Sequence, residues 1–275
     1  MFKKVAICFL ILFSSFTLGG CGNKQMPTSS KTPTVFPTAE PTKAPEVAVK
    51  RLPFVSITPS ADNHWLTLEI KNFPQGTQSL EYELIYLAEV EEAKVERGIS
   101  TIGTPVDLTG QNSFTKKLLL GSASCTTGTC KYKYDEGVKE GTFSLVINGS
   151  FGKEKYQSSF RIQNGSEGKT GLTTNDQIFS FVSPSLVSNS SYLTVSSGGL
   201  PLLLPQGVEA QTLSYGIFSL SKTSKGEVTF KTNLSEVDIY GFDGKTWKKL
   251  PTNVENGIAK ATSSGESVFV LAKTF

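Results

Sequence analysis

The run Leu80-Glu81-Tyr82-Glu83-Leu84-Ile85-Tyr86-Leu87 alternates with a period of two. Leu80, Tyr82, Leu84 and Tyr86 fall on one side, and Glu81, Glu83, Ile85 and Leu87 on the other. Successive side chains of a strand point to opposite faces of a sheet. The first set is therefore expected to face a core. The second, acidic at its start and apolar in its middle, is expected to be partly covered.

The same period appears upstream, where Leu66, Leu68 and Ile70 alternate with Trp65, Thr67, Glu69 and Lys71. A strand over 54–58 precedes it across the turn cluster Ser60-Ala61-Asp62-Asn63. Phe73-Pro74-Gln75-Gly76 breaks it. Downstream, 88–97 is ambiguous. Its Ala, Glu and Lys favour helix, but Glu92 and Glu96 would repel one turn apart. A long strand with a bulge and one or two helical turns both fit, and Gly98 ends the segment either way. Further strands are expected around 99–108, 113–120, 130–134, 142–148 and 155–162. So many short strands suggest a β-sandwich of immunoglobulin-like size over 51–163.

Gln163-Asn164-Gly165-Ser166-Glu167-Gly168-Lys169-Thr170-Gly171 is rich in glycine and polar residues, and a hinge is expected over 164–174. Residues 175–275 form a second β-rich unit. Its strands are expected at 177–182, 192–196, 200–204, 217–220, 228–231, 237–242, 247–250, 258–262 and 268–272. Asp243-Gly244 is a strong hairpin signal, and 204–208 reads as a turn at a strand end. The expected fold class is all-β, with two β-sandwich domains.

Residues Pro205 and Gly207, then Tyr240-Gly-Phe-Asp-Gly-Lys-Thr-Trp247, then Ser267-Val-Phe-Val-Leu-Ala272 give the second half a loose similarity to β-sandwich modules of bacterial envelope proteins. Gly265-Glu266-Ser267 stands where those modules often carry His-Phe-Ser. The resemblance implies an architectural or interaction role and no reaction.

At the other end, Lys3 and Lys4 precede an apolar run from Val5 to Phe16 and the small-residue exit Leu18-Gly19-Gly20-Cys21. At ~1.5 Å per residue the run spans ~18 Å, short of a ~30 Å hydrocarbon core, so it reads as a secretory signal. Its ending resembles the lipobox of bacterial lipoproteins. The resemblance implies cleavage of 1–20, lipid attachment at Cys21, and a location on the extracytoplasmic face of a cell membrane. More than one acyl chain is needed for firm attachment, since one holds only marginally.

Residues 21–50 then read as a disordered linker, punctuated by Pro27, Pro33, Pro37, Pro41 and Pro45. Extended at ~3.1 Å per residue it reaches on the order of 90 Å. It is expected to act as a stalk, and a proline-rich ligand for a partner domain is the alternative.

The chain carries 27 basic and 24 acidic side chains, and loss of Lys3 and Lys4 leaves 25 against 24. No basic stripe marks a nucleic-acid footprint, and no nucleic-acid partner is expected. Of the four cysteines, Cys8 leaves with the signal and Cys21 takes the lipid. Cys125 and Cys130 remain, in an oxidising compartment where a disulfide is the default. A zinc site needs about four ligands and no nearby Cys or His completes one; redox pairs usually have the C-x-x-C spacing.

The search for catalytic residues gives none. Ser113-Phe-Thr-Lys116, Ser219-Leu-Ser-Lys222 and Lys169-Thr-Gly171 echo fragments of penicillin-binding enzymes, but Ser113 lies in a strand-like run. No metal site and no cofactor is expected. His64, beside Trp65, reads as a turn residue flanking a strand. Pairs such as Glu91 with Glu92, or Asp135 with Glu136, could serve a glycosidase only if the fold set them across a cleft. Tyr82, Tyr86, Trp65 and Trp247 could form a sugar-stacking platform, although on small sandwiches such rings usually pack cores. Trp247 with Lys245, Lys248 and Lys249 is the candidate exposed contact patch. These readings lead to a non-catalytic module anchored through lipid in the membrane, binding a protein or a glycan in the envelope. An enzyme of envelope polysaccharide and an accessory subunit of an export or surface-assembly machine are the alternatives.

Overall fold

The computed structural model describes residues 52–91 and 93–275. The expected signal sequence, Cys21 and the expected linker lie outside them. Among the described residues the chain is all-β, with no α-helix and one 3-10 turn at Glu167–Lys169.

The first sandwich has two layers. One is made of β1 (Phe54–Pro59), β2 (Trp65–Lys71) and β6 (Ser113–Leu119), with β2 central. The other runs in the order β10 (Gly152–Asn164), β9 (Glu140–Gly149), β3 (Thr77–Val90), β4 (Ala93–Ser100), and β5 (Val106–Asp107) pairs with the start of β3. Val55, Ile57, Leu66, Leu68 and Ile70 meet Leu80, Tyr82, Leu84, Tyr86, Phe143, Leu145 and Ile147 in a buried core. The inward set of β3 is as its alternation predicts, and Glu81, Glu83, Ile85 and Leu87 are half-buried. Each fully buried Leu or Ile contributes about 1.5–3 kcal/mol.

Residues 88–97 are neither a bulged strand nor helical turns. β3 runs on to Val90, the chain reverses, and β4 pairs back with Val90 opposite Ala93. Glu91 takes φ 48° in the reversal. Gly98 does not end the segment, since it pairs with Ile85 inside β4. Helix propensity of a few tenths of a kcal/mol per residue yields here to a full ladder of cross-strand bonds.

The second sandwich sets β18 (Trp247–Leu250), β17 (Asp238–Phe242), β21 (Val268–Thr274), β15 (Ser214–Phe218) and β13 (Ser191–Gly198), in that order, against a five-stranded sheet. That sheet is ordered β11 (Leu172–Thr173), β12 (Phe179–Val182), β16 (Gly226–Lys231), β20 (Ile258–Ser263), β19 (Thr252–Glu255). Phe179 lies at the centre of its core, 5.2 Å from Phe230, 5.6 Å from Phe269 and 5.7 Å from Tyr215 between ring centroids.

Strand β13 belongs to both sandwiches. It pairs β10 on one edge and β15 on the other, and its final Gly198 also pairs Phe54 of β1. Leu193 and Val195 enter the first core, while Tyr192 enters the second. The segment expected to be a hinge is stitched to this shared region. Arg161 Nη1 donates to Thr173 Oγ1 at 2.8 Å, Thr173 N donates to Gln163 Oε1 at 2.8 Å, and Thr194 Oγ1 donates to Thr173 O at 2.8 Å.

Residues 200–204 form no strand. They belong to a loop that packs on β17, β18 and β21 and leads into β14 (Val208–Ala210), which pairs with the end of β21. Leu200, Tyr240, Trp247, Val268 and Val270 make a third, smaller core beneath it. Prolines at 201 and 205 leave no regular run of N–H donors there, which disfavours a strand. Within the turn expected over 204–208, Val208 N donates to Pro205 O at 3.1 Å and Gly207 takes φ 77°, though no strand precedes it.

Candidate functional site

β6 ends at Leu119, and the chain then leaves the sandwich as a two-stranded hairpin. Its strands are β7 (Gly121–Thr126) and β8 (Thr129–Tyr134), and most of their residues are exposed. The turn residues Thr127 and Gly128 have φ 43° and 84°. Two positive φ values match the twist of a tight hairpin, and glycine takes the second at no steric cost. Cys125 and Cys130 face each other in register, with Cα atoms 4.1 Å apart, and are joined in a disulfide. The sequence reading located the bridge; it did not anticipate β7 or the pairing of Thr126 with Thr129 beyond the cysteines.

Alternation along β8 sends Tyr132 and Tyr134 to one side and Lys131 and Lys133 to the other. The tyrosine rings are parallel within 7°, with centroids 6.0 Å apart. His64 lies on Tyr134 at 3.9 Å, and Trp65 meets Tyr132 edge to face at 5.7 Å. Tyr132 remains 46% exposed. The hairpin is thus held at its root by a row of four rings, two from the start of β2 and two from β8.

A buried hydroxyl fixes the same root. Tyr86 accepts from Gly121 N at 3.1 Å and donates to Asp135 Oδ2 at 2.8 Å. Burial pushes its phenol well above the ordinary tyrosine range, and the Asp135 carboxylate adds to the effect. It is a permanent donor at any physiological pH. Asp135 N and Leu120 N complete the root by donating to Leu120 O at 3.0 Å and His64 O at 2.9 Å.

At the His64 end of the row opens a polar groove of about 400 Å³, lined by Asp62, His64, Glu136, Lys139, Arg161 and Gln163 among others. His64 Nδ1 is 3.1 Å from Asp62 Oδ2, and its Nε2 is 4.0 Å from Glu136 Oε1. The Ser60 hydroxyl and the His64 N–H hold the Asp62 carboxyl below its usual range. Ser60, Asp62 and His64 are the residue types of a hydrolase set, but the order of contacts is wrong. Ser60 Oγ donates to Asp62 at 2.5 Å, so the carboxylate sits between hydroxyl and imidazole. Hydrolysis of that kind requires imidazole between the other two. Asp135, in turn, is tied to Tyr86, with Arg97 Nε 3.9 Å away. Among the described residues no group of three or more His, Cys, Asp or Glu is arranged to hold a metal ion. The site can stack on a flat apolar face and form hydrogen bonds.

The other sequence candidates lie elsewhere. Tyr82 and Tyr86 are core residues. Trp247 is not an exposed contact: only 8% of it is accessible, its ring packs on Phe242, and its Nε1 donates to Leu202 O at 2.8 Å. Lys248 pairs with Asp243 at 2.9 Å and Lys249 with Asp238 at 2.7 Å, while Lys245 is exposed on the turn before Trp247. An indole is the largest apolar side chain available, and the loop over the sheet gives it a place to bury. Cys21 lies outside the described residues. The grouping of Tyr132, Tyr134, His64 and Trp65 was missed because its members come from two strands 70 residues apart; the Tyr-x-Tyr step within β8 was its one sequence signal.

No family model, curated protein or solved structure matches the chain.

Proposed function

We propose that this chain is a non-catalytic binding protein of the cell envelope, held outside the membrane by lipid on Cys21, and that its disulfide-closed hairpin end takes up a glycan strand. The observation that carries this reading is the row of rings His64, Tyr134, Tyr132 and Trp65, whose His64 end borders a polar groove. The C–H face of a sugar ring packs on a flat aromatic surface, and its hydroxyls need donors and acceptors close by. Tyr132 offers the first, and the exposed Glu136 and Lys139 of the groove, with Arg161, offer the second. The disulfide and the Tyr86 bonds fix the hairpin before binding, which reduces the ordering entropy a ligand must overcome.

Sedimentation with protein-stripped envelope polysaccharide tests it. The mature chain is expected to co-sediment, and Tyr132→Ala to weaken this by about tenfold, as hot-spot aromatics do. Unchanged binding by Tyr132→Ala, or binding only to envelopes that retain their proteins, would assign the hairpin to another partner.

A further inference from the structure

Strand β2 has a structural feature at each end. His64, just before it, stacks on the hairpin, and Asn72, just after it, holds the loop 199–205. Asn72 Nδ2 donates to Leu200 O at 2.8 Å and to Pro201 O at 2.9 Å. The Trp247 indole donates to Leu202 O at 2.8 Å. A loop fixed from two sides, between Pro201 and Pro205, thus presents Leu202 at 48% and Leu203 at 80% exposure. Phe275, 76% exposed, is tied just past this loop, its N–H donating to Gly207 O at 2.8 Å. Single exposed apolar side chains are ordinary. Here two adjacent leucines are exposed on a loop whose carbonyls are held by Asn72 and by Trp247 of β18.

The place where the tether enters indicates what covers them. The chain joins the fold at Leu52 and Pro53, and Gly199 N donates to Pro53 O at 3.0 Å. A Cβ on Gly199 would fall 1.9 Å from Leu52 O, so backbone touches backbone at the root of the leucine loop. Whatever holds Cys21 at a bilayer therefore reaches the fold at Gly199, the root of the loop that carries Leu202 and Leu203, at the end of β2 remote from the hairpin. Seven strand residues put roughly 20 Å between those ends.

We infer that the loop 199–205 is a second membrane contact: Leu202 and Leu203 enter the interfacial layer of the bilayer that carries the tether, and the hairpin points away from it. The inference rests on the lipid anchor at Cys21. Tethering turns the second contact into an intramolecular event, so two side chains suffice where they could not recruit a free protein. A linker reaching on the order of 90 Å would let the fold stand off from the bilayer or rest its loop end on it, and the loop selects the second.

The test uses the mature chain with Cys21→Ser and a hexahistidine at its start, bound to phosphatidylglycerol–phosphatidylethanolamine vesicles with nickel-chelating and nitroxide-labelled lipid. An environment-sensitive dye is placed by Leu203→Cys or, at the opposite end of β2, by Ala61→Cys, both exposed positions. The Leu203→Cys dye is expected to shift to the blue and be quenched by the nitroxide, and the Ala61→Cys dye to do neither. Equal signals from the two, or none at Leu203→Cys, would overturn the inference. So would a shift that needs no lipid and grows with protein concentration, which assigns the loop to self-association. Release of unmodified Cys21→Ser protein from the membrane fraction checks the anchor separately. The nickel tether keeps the loop measurement valid whichever way that result falls.

Discussion

The imidazole of His64 lies flat on the phenol of Tyr134, with centroids 3.9 Å apart and planes 1° from parallel. One ring precedes β2 in the first sandwich, and the other ends the hairpin. The contact therefore sets the angle at which the hairpin leaves the fold. Tyr86 holds the same root from beneath, and the mechanical independence of the hairpin is limited by these two residues.

Tyr86→Phe removes the donor to Asp135 and the acceptor for Gly121 N while keeping the ring. A buried group left without its partner costs about 1–3 kcal/mol. The urea midpoint is expected to fall accordingly, and limited proteolysis to cut within 121–134 before the rest of the chain.

Reduction of Cys125–Cys130 opens a small ring, worth about 2 kcal/mol in the chain-entropy model. The loss is expected to stay local. Hydrogen exchange should speed up in β7 and β8 with little change in β2 or β9. Intact mass of unreduced protein should show no free thiol at either position.

Glu266 is almost wholly buried. Burial opposes its charge, but the Ser263 hydroxyl at 2.6 Å, the N–H groups of its turn and Lys248 at 3.9 Å outweigh this and hold its pKa below the usual range. A depressed folded pKa gives stability that is complete above the unfolded value, about 4.3, and is lost as pH falls through the folded one. Glu266→Gln is expected to destabilise at pH 7 by about 1–3 kcal/mol. The difference from the parent should shrink at pH 3, read from urea midpoints at both values.

Trp247→Ala and Lys245→Ala separate a core role from a surface one. Truncating a buried aromatic costs about 3–5 kcal/mol, whereas an exposed lysine is expected to change stability by less than about 0.5 kcal/mol. Thermal unfolding of the two variants should differ in that order. Equal, small effects would return Trp247 to the surface.

Leu193→Ala in β13 is expected to cost about 2–5 kcal/mol. Because β13 serves both cores, circular dichroism and tryptophan fluorescence should report one coincident transition before and after the change. Separate transitions would mean that the two sandwiches unfold independently.

Alternation alone determined the class of this fold. A period of two in 80–87 and 65–71 admits a sheet with one face buried, and the inward residues named from it are the core residues. The cysteine pair was equally legible, because two thiols with a short polar turn between them need little beyond an oxidising compartment. Where local signals were weak or divided, tertiary contacts decided. The stretch 88–97 became a hairpin because β3 had a ladder to extend, and Trp247 was buried because a proline-bracketed loop lay over it. The row of rings at the hairpin root and the clamp on Leu202 and Leu203 join residues far apart in the chain. No pattern within one strand encodes them, since a period of two says which way a side chain points and nothing about which distant strand it will meet.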